Sequence, residues 1–336
     1  MVTLSCLVLL FFSAASPINA VQESLLTPEM APRLVREMES RCRTGFFEGK
    51  DHVPLYYLAD DAFLPSGGNA LVLVTGRNES VYKYAELIHD LKKDGVVFAY
   101  DHRGQGRSGR MLDDPLKGHV DDFTDYVADF KLFIKMVVRP ERFRRTVVVA
   151  HSMGGAVAAL ALASGDMGVS GLILSSPMVA INTGKLPRAL ARSVAAVLDR
   201  LGYGTSYLPG GGYHVREFKT NNDLTSSRSR FLYARELERV FPEIALGDAT
   251  NRWLREAFSV TDALMASAGG ITVPVLLLQA TEDTVVDLPW QKRFCEALPR
   301  CRLEQLAGSR HEILMERDGI RDQALRQVGG FWQGEP

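Results

Sequence analysis

The chain has 336 residues, 46% of them hydrophobic and 24% charged, a composition that can bury a sizeable core. Its 39 basic and 40 acidic side chains give a formal net charge of -1. This balance excludes the strongly basic surface that nucleic acid requires, so we expect no nucleic-acid partner.

The N-terminal segment has the composition of an export signal. Residues 1–20 carry no charged side chain, and residues 4–15 are almost wholly apolar. This run is too short to cross a bilayer, which takes about 20 residues, but it fits the core of a signal peptide. We predict a signal peptide cleaved after Ala20, in a cell-envelope protein that is exported or peripherally membrane-associated. An uncleaved membrane-proximal anchor is the alternative, because the segment lacks lysine and arginine and Ile18 is not small.

The rest of the chain alternates short apolar runs with stretches of helical spacing. This pattern is typical of a mostly parallel sheet with helices on both faces, so the predicted fold class is α/β. Buried strands are predicted at residues 69–75, 95–100, 146–150, 171–175 and 273–280, with a weaker strand at 302–306. Segments 45–49 and 54–58 are predicted to be antiparallel edge strands.

The alternation stops between residues 177 and 268. This segment is rich in arginine, prone to form helices and broken by the PGGG run at 209–212. Because the strand pattern resumes at Val273, we predict a helical cap inserted into a single domain that spans residues 21–336. Apolar residues recur at helical spacing within the cap and could line an apolar tunnel, although any helix shows that spacing to its own core.

Three cysteines follow the predicted signal, namely Cys42, Cys295 and Cys301, too few for a disulfide-built scaffold. A disulfide between Cys295 and Cys301 is one expectation for an exported protein, and two buried free thiols are the other.

The segment AHSMGG at residues 150–155 carries the strongest chemical signal. It follows a predicted strand and precedes the helical run AVAALALA, which is the context of a nucleophile elbow. Such a turn needs small residues two before and two after the nucleophile, and here these are Ala150 and Gly154. Ser152 is therefore the candidate nucleophile. Dehalogenase and epoxide hydrolase chemistry is excluded, because it needs an aspartate at this position.

A serine hydroxyl is a weak nucleophile at neutral pH and needs a base that an acid holds in one tautomer. Of the seven histidines, His311 follows the last predicted strand, and loops at the C-terminal ends of parallel strands share one edge of the sheet. Asp283 ends the run LLLQATED and lies between serine and histidine, the usual order on such sheets. We predict Ser152, Asp283 and His311 as catalytic residues, with Glu282 and Asp287 as alternative acids.

Two backbone amides are predicted to bind the oxyanion, those of Arg77 and Met153. Only the backbone of Arg77 is needed, so its side chain is free to face an anionic headgroup or, alternatively, to be solvated. His151 is expected to point away from the site. The glycine-rich DHRGQGRSG at residues 101–109 lacks the context of a phosphate loop and is assigned to the floor of the site. This chemistry requires no cofactor and no metal.

In this order, the motifs resemble the monoacylglycerol-lipase-like branch of the α/β-hydrolases (serine aminopeptidase S33 type), and particularly its bacterial lysophospholipases. The motifs are TGRNES (75–80), KYAEL (83–87), DHRGQGRSGR (101–110), DYV (125–127), AHSMGG (150–155), LLLQATEDTVVD (276–287) and HEILMERD (311–318). The chain departs from the family at Thr75, where many relatives have histidine, and at Ala150, where the usual residue is glycine.

The resemblance implies an α/β-hydrolase fold and hydrolysis of the acyl ester of a lysophospholipid or monoacylglycerol through an acyl-enzyme. The expected partners are therefore a lipid substrate and, peripherally, a membrane. Short-chain carboxylesterase and lipid acyltransferase are the alternatives among enzymes. A catalytically inactive lipid-binding protein on the same fold is the alternative of another class, and the intact serine, acid and histidine argue against it.

Overall fold

The computed structural model describes residues 20–60, 68–91 and 95–334. The predicted signal peptide over residues 1–20 lies outside these ranges except for Ala20. In the described chain, eight strands form one sheet in the order β1-β2-β4-β3-β5-β6-β7-β8. The strands are β1 (Arg43–Glu48), β2 (Pro54–Ala59), β3 (Asn69–Val74), β4 (Val96–Tyr100), β5 (Arg145–His151), β6 (Gly171–Ser175), β7 (Val275–Ala280) and β8 (Cys301–Leu306).

The sheet is parallel from β4 to β8, and only the two pairs that involve β2 are antiparallel. The predicted parallel core and the antiparallel start of the chain are therefore confirmed. The prediction of two edge strands is wrong for β2, because β2 lies between β1 and β4 and only β1 occupies that edge. Leu55 and Leu58 of β2 are accordingly fully buried.

Helices cover both faces of the sheet. They are α1 (Met30–Arg41), α2 (Ala85–Leu91), α3 (Thr124–Phe133), α4 (Met153–Ala163), α5 (Arg188–Leu198), α6 (Arg228–Val240), α7 (Asn251–Ser267), α8 (Leu288–Ala297) and α9 (Asp318–Gln333). Successive side chains of a strand point to opposite faces. In β3, Val72 therefore joins the core with α3, α4, α7 and α8, whereas Leu71 joins the core with α1, α2 and α9.

The chain between β6 and β7 contains α5, α6 and α7 and contributes no strand to the sheet within the described ranges. Helix α7 packs against α4 and α5, and α6 packs against α1. The segment between β6 and β7 is therefore packed against the rest of the domain through both α6 and α7. None of the helices in the described ranges is long and apolar enough to span a membrane.

Cys295 and Cys301 form a disulfide that joins α8 to the start of β8. The alternative of two free thiols is therefore wrong for this pair. Cys42 is a buried free thiol, and burial raises its pKa to about 12. The thiol consequently stays protonated and acts as a small core side chain.

Candidate active site

Ser152 lies in the sharp turn between β5 and α4, with φ at 50° and ψ at -116°. An L-residue rarely adopts such a conformation, so the surrounding structure must hold it in place. The Ser152 amide donates to the carbonyl of Ser175 at 3.0 Å, and its own carbonyl accepts from the amide of Met178 at 2.9 Å. Gly154 is required here because a Cβ would lie 2.4 Å from the carbonyl oxygen of Thr75.

Ser152, His311 and Asp283 form one line of hydrogen bonds. The distance from His311 Nε2 to Ser152 Oγ is 2.9 Å, and that from His311 Nδ1 to Asp283 Oδ2 is 2.7 Å. Because the carboxylate can only accept, Nδ1 carries the proton and Nε2 accepts from the serine hydroxyl. The amides of Val285 and Val286 donate to the other Asp283 oxygen at 2.8 and 3.2 Å. This arrangement suits proton removal from the hydroxyl.

The two alternative acids lie outside this line. Asp287 is the N-cap of α8, where its carboxylate accepts from the amide of Trp290 at 3.2 Å. Glu282 is exposed to solvent. Of the three carboxylates considered, the structure brings only Asp283 within hydrogen-bonding distance of His311.

The amides of Arg77 and Met153 border the same cavity as Ser152. Within the described residues, neither amide donates to a protein acceptor. The neighbouring amides are occupied, since that of Gly76 donates to the Glu79 carboxylate and that of Asn78 donates to Gln105 Oε1 at 3.3 Å. The two amides predicted for the oxyanion therefore remain available to a ligand.

The segment 75–79, here called the oxyanion turn, is held by the glycine-rich segment 101–109. Gln105 Nε2 donates to the carbonyls of Gly76 and Glu79 at 2.7 and 2.9 Å. His102 Nε2 donates to the carbonyl of Thr75 at 3.0 Å, and its Nδ1 accepts from Tyr100. Burial lowers the pKa of His102 to about 4, so this imidazole is neutral near pH 7. The segment 101–109 thus supports the oxyanion turn, whereas its predicted place as the floor of the site stays a prediction, since none of its residues lines the cavity.

A buried group of three charges connects the oxyanion turn to the loop of His311. Lys83 Nζ lies 2.7 Å from Glu79 and 2.6 Å from Glu312, and the three side chains are almost wholly buried. Burial alone would raise the pKa of Glu79, but the charge of Lys83 and hydrogen bonds from Lys83 and the Gly76 amide lower it to about 2. Sequence reasoning missed this group, although the motifs TGRNES and KYAEL contain its first two members.

His151 lies where the sequence did not predict it. The expectation that it points away is wrong, because its ring centroid is 4.8 Å from that of His311 and both rings line the cavity. Its Nδ1 donates to the carbonyl of Ser175 at 3.1 Å, and this hydrogen bond fixes the orientation of the ring. Burial lowers its pKa. His151 is therefore an uncharged part of the cavity wall near pH 7.

The cavity beside Ser152 has a volume of about 1000 Å³. Its wall contains both apolar and charged side chains. The apolar residues include Met178, Ile181, Leu208, Val215, Phe231, Trp253, Val285 and Val286. A cavity of this size and mixed character fits an amphiphilic small molecule.

Comparison with known proteins assigns the family. The family model for serine aminopeptidase S33 matches residues 68–318, three quarters of the chain. This chain belongs to the serine aminopeptidase S33 family. It is 36% identical over 299 residues to lysophospholipase L2 of Escherichia coli K12, covering 85% of this chain and 86% of the relative. It is 28% identical to monoglyceride lipase of Rattus norvegicus, covering 81% and 85%.

Among solved structures, the S33 chain is similar to a soluble variant of monoglyceride lipase from Saccharomyces cerevisiae. The TM-score is 0.68 at 17% identity, and the match covers 88% of this chain and 95% of that one. At this identity the likeness supports the fold alone. The predicted α/β-hydrolase fold, with its mostly parallel sheet, is thereby confirmed, as is the resemblance on which the prediction partly rested.

Proposed function

We propose that this protein is a carboxylic ester hydrolase that cleaves the acyl ester of lysophospholipids or monoacylglycerols through an acyl-enzyme. The observation that carries the proposal is the hydrogen-bonded line from Asp283 through His311 to Ser152 at the wall of a mixed cavity. The names of the relatives agree with it, since they include a lysophospholipase and a monoglyceride lipase.

In this mechanism, Ser152 Oγ attacks the ester carbonyl carbon while His311 Nε2 takes the hydroxyl proton. The amides of Arg77 and Met153 hold the charge that develops on the carbonyl oxygen, and each such donor contributes about 100- to 1000-fold in rate. His311 then gives its proton to the departing glycerol oxygen. A water molecule, deprotonated by His311, attacks the acyl-enzyme and releases the fatty acid. No step uses a metal or a cofactor.

The apolar part of the cavity supports an acyl chain as the ligand. Much of this wall comes from residues 177–268, through Met178, Ile181, Leu208, Val215 and Phe231. We assign this segment as a cap that covers the acyl chain, with the charged part of the cavity left for the headgroup. Removing the acyl chain from water supplies binding energy in proportion to the apolar area that is buried.

The test is fatty-acid release from lysophosphatidylcholine, lysophosphatidylethanolamine and monoacylglycerol of one acyl length, measured beside a short-chain ester. Wild-type protein is expected to hydrolyse the long-chain lipids and to be labelled by a fluorophosphonate probe. Ser152→Ala should fold normally and lose both properties. Release of fatty acid by Ser152→Ala at the wild-type rate would refute the mechanism, and an unlabelled wild type would favour a binding protein. Preference for the short ester would favour a carboxylesterase.

An apolar stripe along α5 supports contact with a lipid surface. Leu190, Val194 and Val197 recur at helical spacing, and Leu186 and Leu201 extend the row, each 44–67% exposed. The exposed cations Lys185 and Arg200 adjoin the two ends of the row, beside Leu186 and Leu201. Apolar side chains bordered by cations suit the surface of an anionic bilayer, where the stripe enters the acyl region and the cations meet the headgroups.

Sedimentation with vesicles of phosphatidylglycerol and phosphatidylethanolamine tests this contact. Val194→Glu should release the protein from the vesicles and leave turnover of a soluble short ester intact. The matched control is Met136→Glu, because Met136 is an equally exposed apolar residue on another surface. Equal binding by Val194→Glu and wild type would rule out α5 as the contact.

Export from the cytoplasm completes the proposal. The apolar composition of residues 1–20 and the Cys295–Cys301 disulfide both fit an oxidising compartment. Expression of the full chain, fractionation of the cells and intact mass measurement should find a product that begins at Val21 in the envelope or medium. A full-length product in the cytoplasm with reduced cysteines would exclude export.

A further inference from the structure

The side chain of Arg77 makes contacts that are separate from the role assigned to its backbone amide. Its guanidinium packs over the ring of Trp253 at 5.4 Å, and Nη1 donates to the carbonyl of Gly247 at 3.3 Å. A Cβ at Gly118 would lie 3.0 Å from the same Nη1, so the guanidinium is closely enclosed on that side as well. The side chain is thus fixed at the cavity wall instead of extending into solvent.

Arg77 makes no ion pair with a carboxylate within the described ranges. Arg77 is half-buried, and a guanidinium partly removed from water is normally paired, because its desolvation costs more than a neutral hydrogen bond returns. Burial lowers the pKa of Arg77, and the positive charge of Arg216 lowers it further, against the opposing effect of Asp248. The closest approach of Arg216 to Asp248 is 3.9 Å, so this carboxylate already faces a second cation.

The other buried or half-buried cations that line this cavity have carboxylate partners. Lys83 lies between Glu79 and Glu312, and Arg235 donates to Glu238 at 2.7 Å. Among the described buried and half-buried cations that line the cavity, Arg77 is therefore the one without an ion pair, while the exposed Arg216 lies 3.9 Å from Asp248. A ligand that brings one negative charge to this place would complete the pairing.

We propose that the guanidinium of Arg77, assisted by Arg216, binds the phosphate of a lysophospholipid headgroup while the Arg77 amide holds the carbonyl oxygen of the ester under attack. This inference rests on the proposed function and names the substrate within it. The guanidinium is suited to the task because its planar donors match two phosphate oxygens at once. The ring of Trp253 and the Gly247 carbonyl fix the plane of the donors before the substrate arrives.

The covalent geometry of the substrate supports the double contact. Two separations match when counted in covalent bonds. One runs from the amide nitrogen of an arginine to its guanidinium carbon. The other runs from the ester carbonyl carbon of a 1-acyl lysophospholipid to its phosphorus. One residue can therefore hold both ends of the glycerol backbone, placing the carbonyl at Ser152 and the phosphate at the guanidinium. A monoacylglycerol offers only a hydroxyl at that second position and leaves the charge of Arg77 unpaired.

The readout is the ratio of kcat/KM for a lysophosphatidylethanolamine to kcat/KM for the monoacylglycerol with the same acyl chain, both kept below their micellar concentrations. Arg77→Gln should reduce this ratio by about 10- to 100-fold, as expected for loss of a hydrogen bond between charged groups. Arg77→Lys should restore part of the ratio, because it returns the charge without the planar donors. Arg216→Gln, which changes a half-exposed side chain, should reduce the ratio by less.

Arg145→Gln is the matched control. Arg145 also packs on an aromatic ring, that of Phe331 at 5.8 Å, and donates to a backbone carbonyl at 3.3 Å, but it lies outside the cavity wall. Its substitution should leave the ratio at the wild-type value. A second probe is inorganic phosphate, which should inhibit monoacylglycerol hydrolysis by the wild type and inhibit Arg77→Gln less.

The outcomes separate this inference from the proposed function. If the wild type hydrolyses neither lipid, the proposed function itself fails. If it hydrolyses both and Arg77→Gln and Arg216→Gln lose activity on both equally, only the headgroup assignment is overturned. Phosphate inhibition that depends on Arg77 with an unchanged substrate ratio would assign a site for free phosphate and would likewise overturn the headgroup assignment.

Discussion

The Nε2 atom of His311 lies 2.9 Å from the hydroxyl oxygen of Ser152, although 159 residues separate the two along the chain. Ser152 follows β5 and His311 follows β8, and Asp283 lies on the loop after β7. Because these strands run parallel, their following loops meet at one edge of the sheet. The geometry of the candidate site thus depends on the sheet more than on any local sequence.

Asp283→Asn is expected to lower kcat for ester hydrolysis by about ten thousand-fold, the size of effect found when a triad aspartate becomes an amide. The amide presents an N–H donor to His311 and favours the tautomer that cannot accept the serine proton. Steady-state turnover of a soluble ester measures the change. Asp287→Asn is the control, since Asp287 caps α8, and it should keep wild-type kcat. Comparable losses in both variants would argue against the assignment of Asp283.

Gly154→Ala is expected to destabilise the fold by about 1–3 kcal/mol, because the new methyl group meets two backbone oxygens at the C-terminal end of the neighbouring strand β3. These are the carbonyls of Thr75 at 2.4 Å and Val74 at 2.7 Å. Urea unfolding gives the free energy of unfolding. Gly319→Ala on α9 is the control, because its methyl has no neighbour within 4 Å, and it should be neutral or stabilising by up to about 1 kcal/mol. Wild-type stability in Gly154→Ala would mean that the elbow has room for a side chain.

Lys83→Met is expected to reduce the free energy of unfolding by about 3–5 kcal/mol, because it leaves the buried carboxylates of Glu79 and Glu312 facing each other without a cation. The exposed Lys135 provides the comparison, and Lys135→Met should change stability by less than about 0.5 kcal/mol. Urea unfolding of both variants measures the difference. If the two variants lost equal stability, the buried charges would have another source of compensation.

A pH-dependent component of stability is expected from His102. Burial lowers its pKa to about 4, so between roughly pH 6.5 and pH 4 the unfolded chain binds a proton that the folded chain does not. The free energy of unfolding therefore falls as pH falls through this window, by about 3 kcal/mol from this group. Asp101 acts in the opposite sense, because burial raises its pKa to about 6.

The difference between wild type and His102→Gln isolates the histidine, since Asp101 contributes to both proteins. The stability advantage of the wild type over the variant should shrink by about 3 kcal/mol between pH 7 and pH 4. Urea unfolding across this range measures it. A constant advantage would show that His102 titrates normally in the folded protein.

Much of the fold could be predicted from sequence because fully buried parallel strands are continuous apolar runs. VVFAY and VLLLQA are such runs, and they form β4 and β7. The position of β2 could not be predicted, because its mixed run PLYYLA does not reveal that strands flank it on both sides. Local pattern identifies a strand, whereas its neighbours depend on contacts distant in sequence.

The candidate site likewise contains residues that could be predicted from the sequence and residues that could not. Ser152, Asp283 and His311 could be selected from sequence because each follows a strand run, and the structure brings them together. The placement of His151 against His311 could not, since the direction of a side chain in an elbow depends on the hydrogen bond to Ser175. The buried group of Lys83, Glu79 and Glu312 could not be predicted either, because charged residues in a sequence ordinarily indicate a solvent-exposed surface.

The attachment of the oxyanion turn to the segment 101–109 bears on how this enzyme scaffold can be re-engineered. Gln105 and His102 fix the backbone of the turn from another strand end. A loop graft that exchanges only residues 75–79 would lose the partners that orient its amides, so productive chimaeras should exchange both segments together. Library design follows the same logic: Gln105 and His102 are best kept constant, because both donate to backbone carbonyls of the turn.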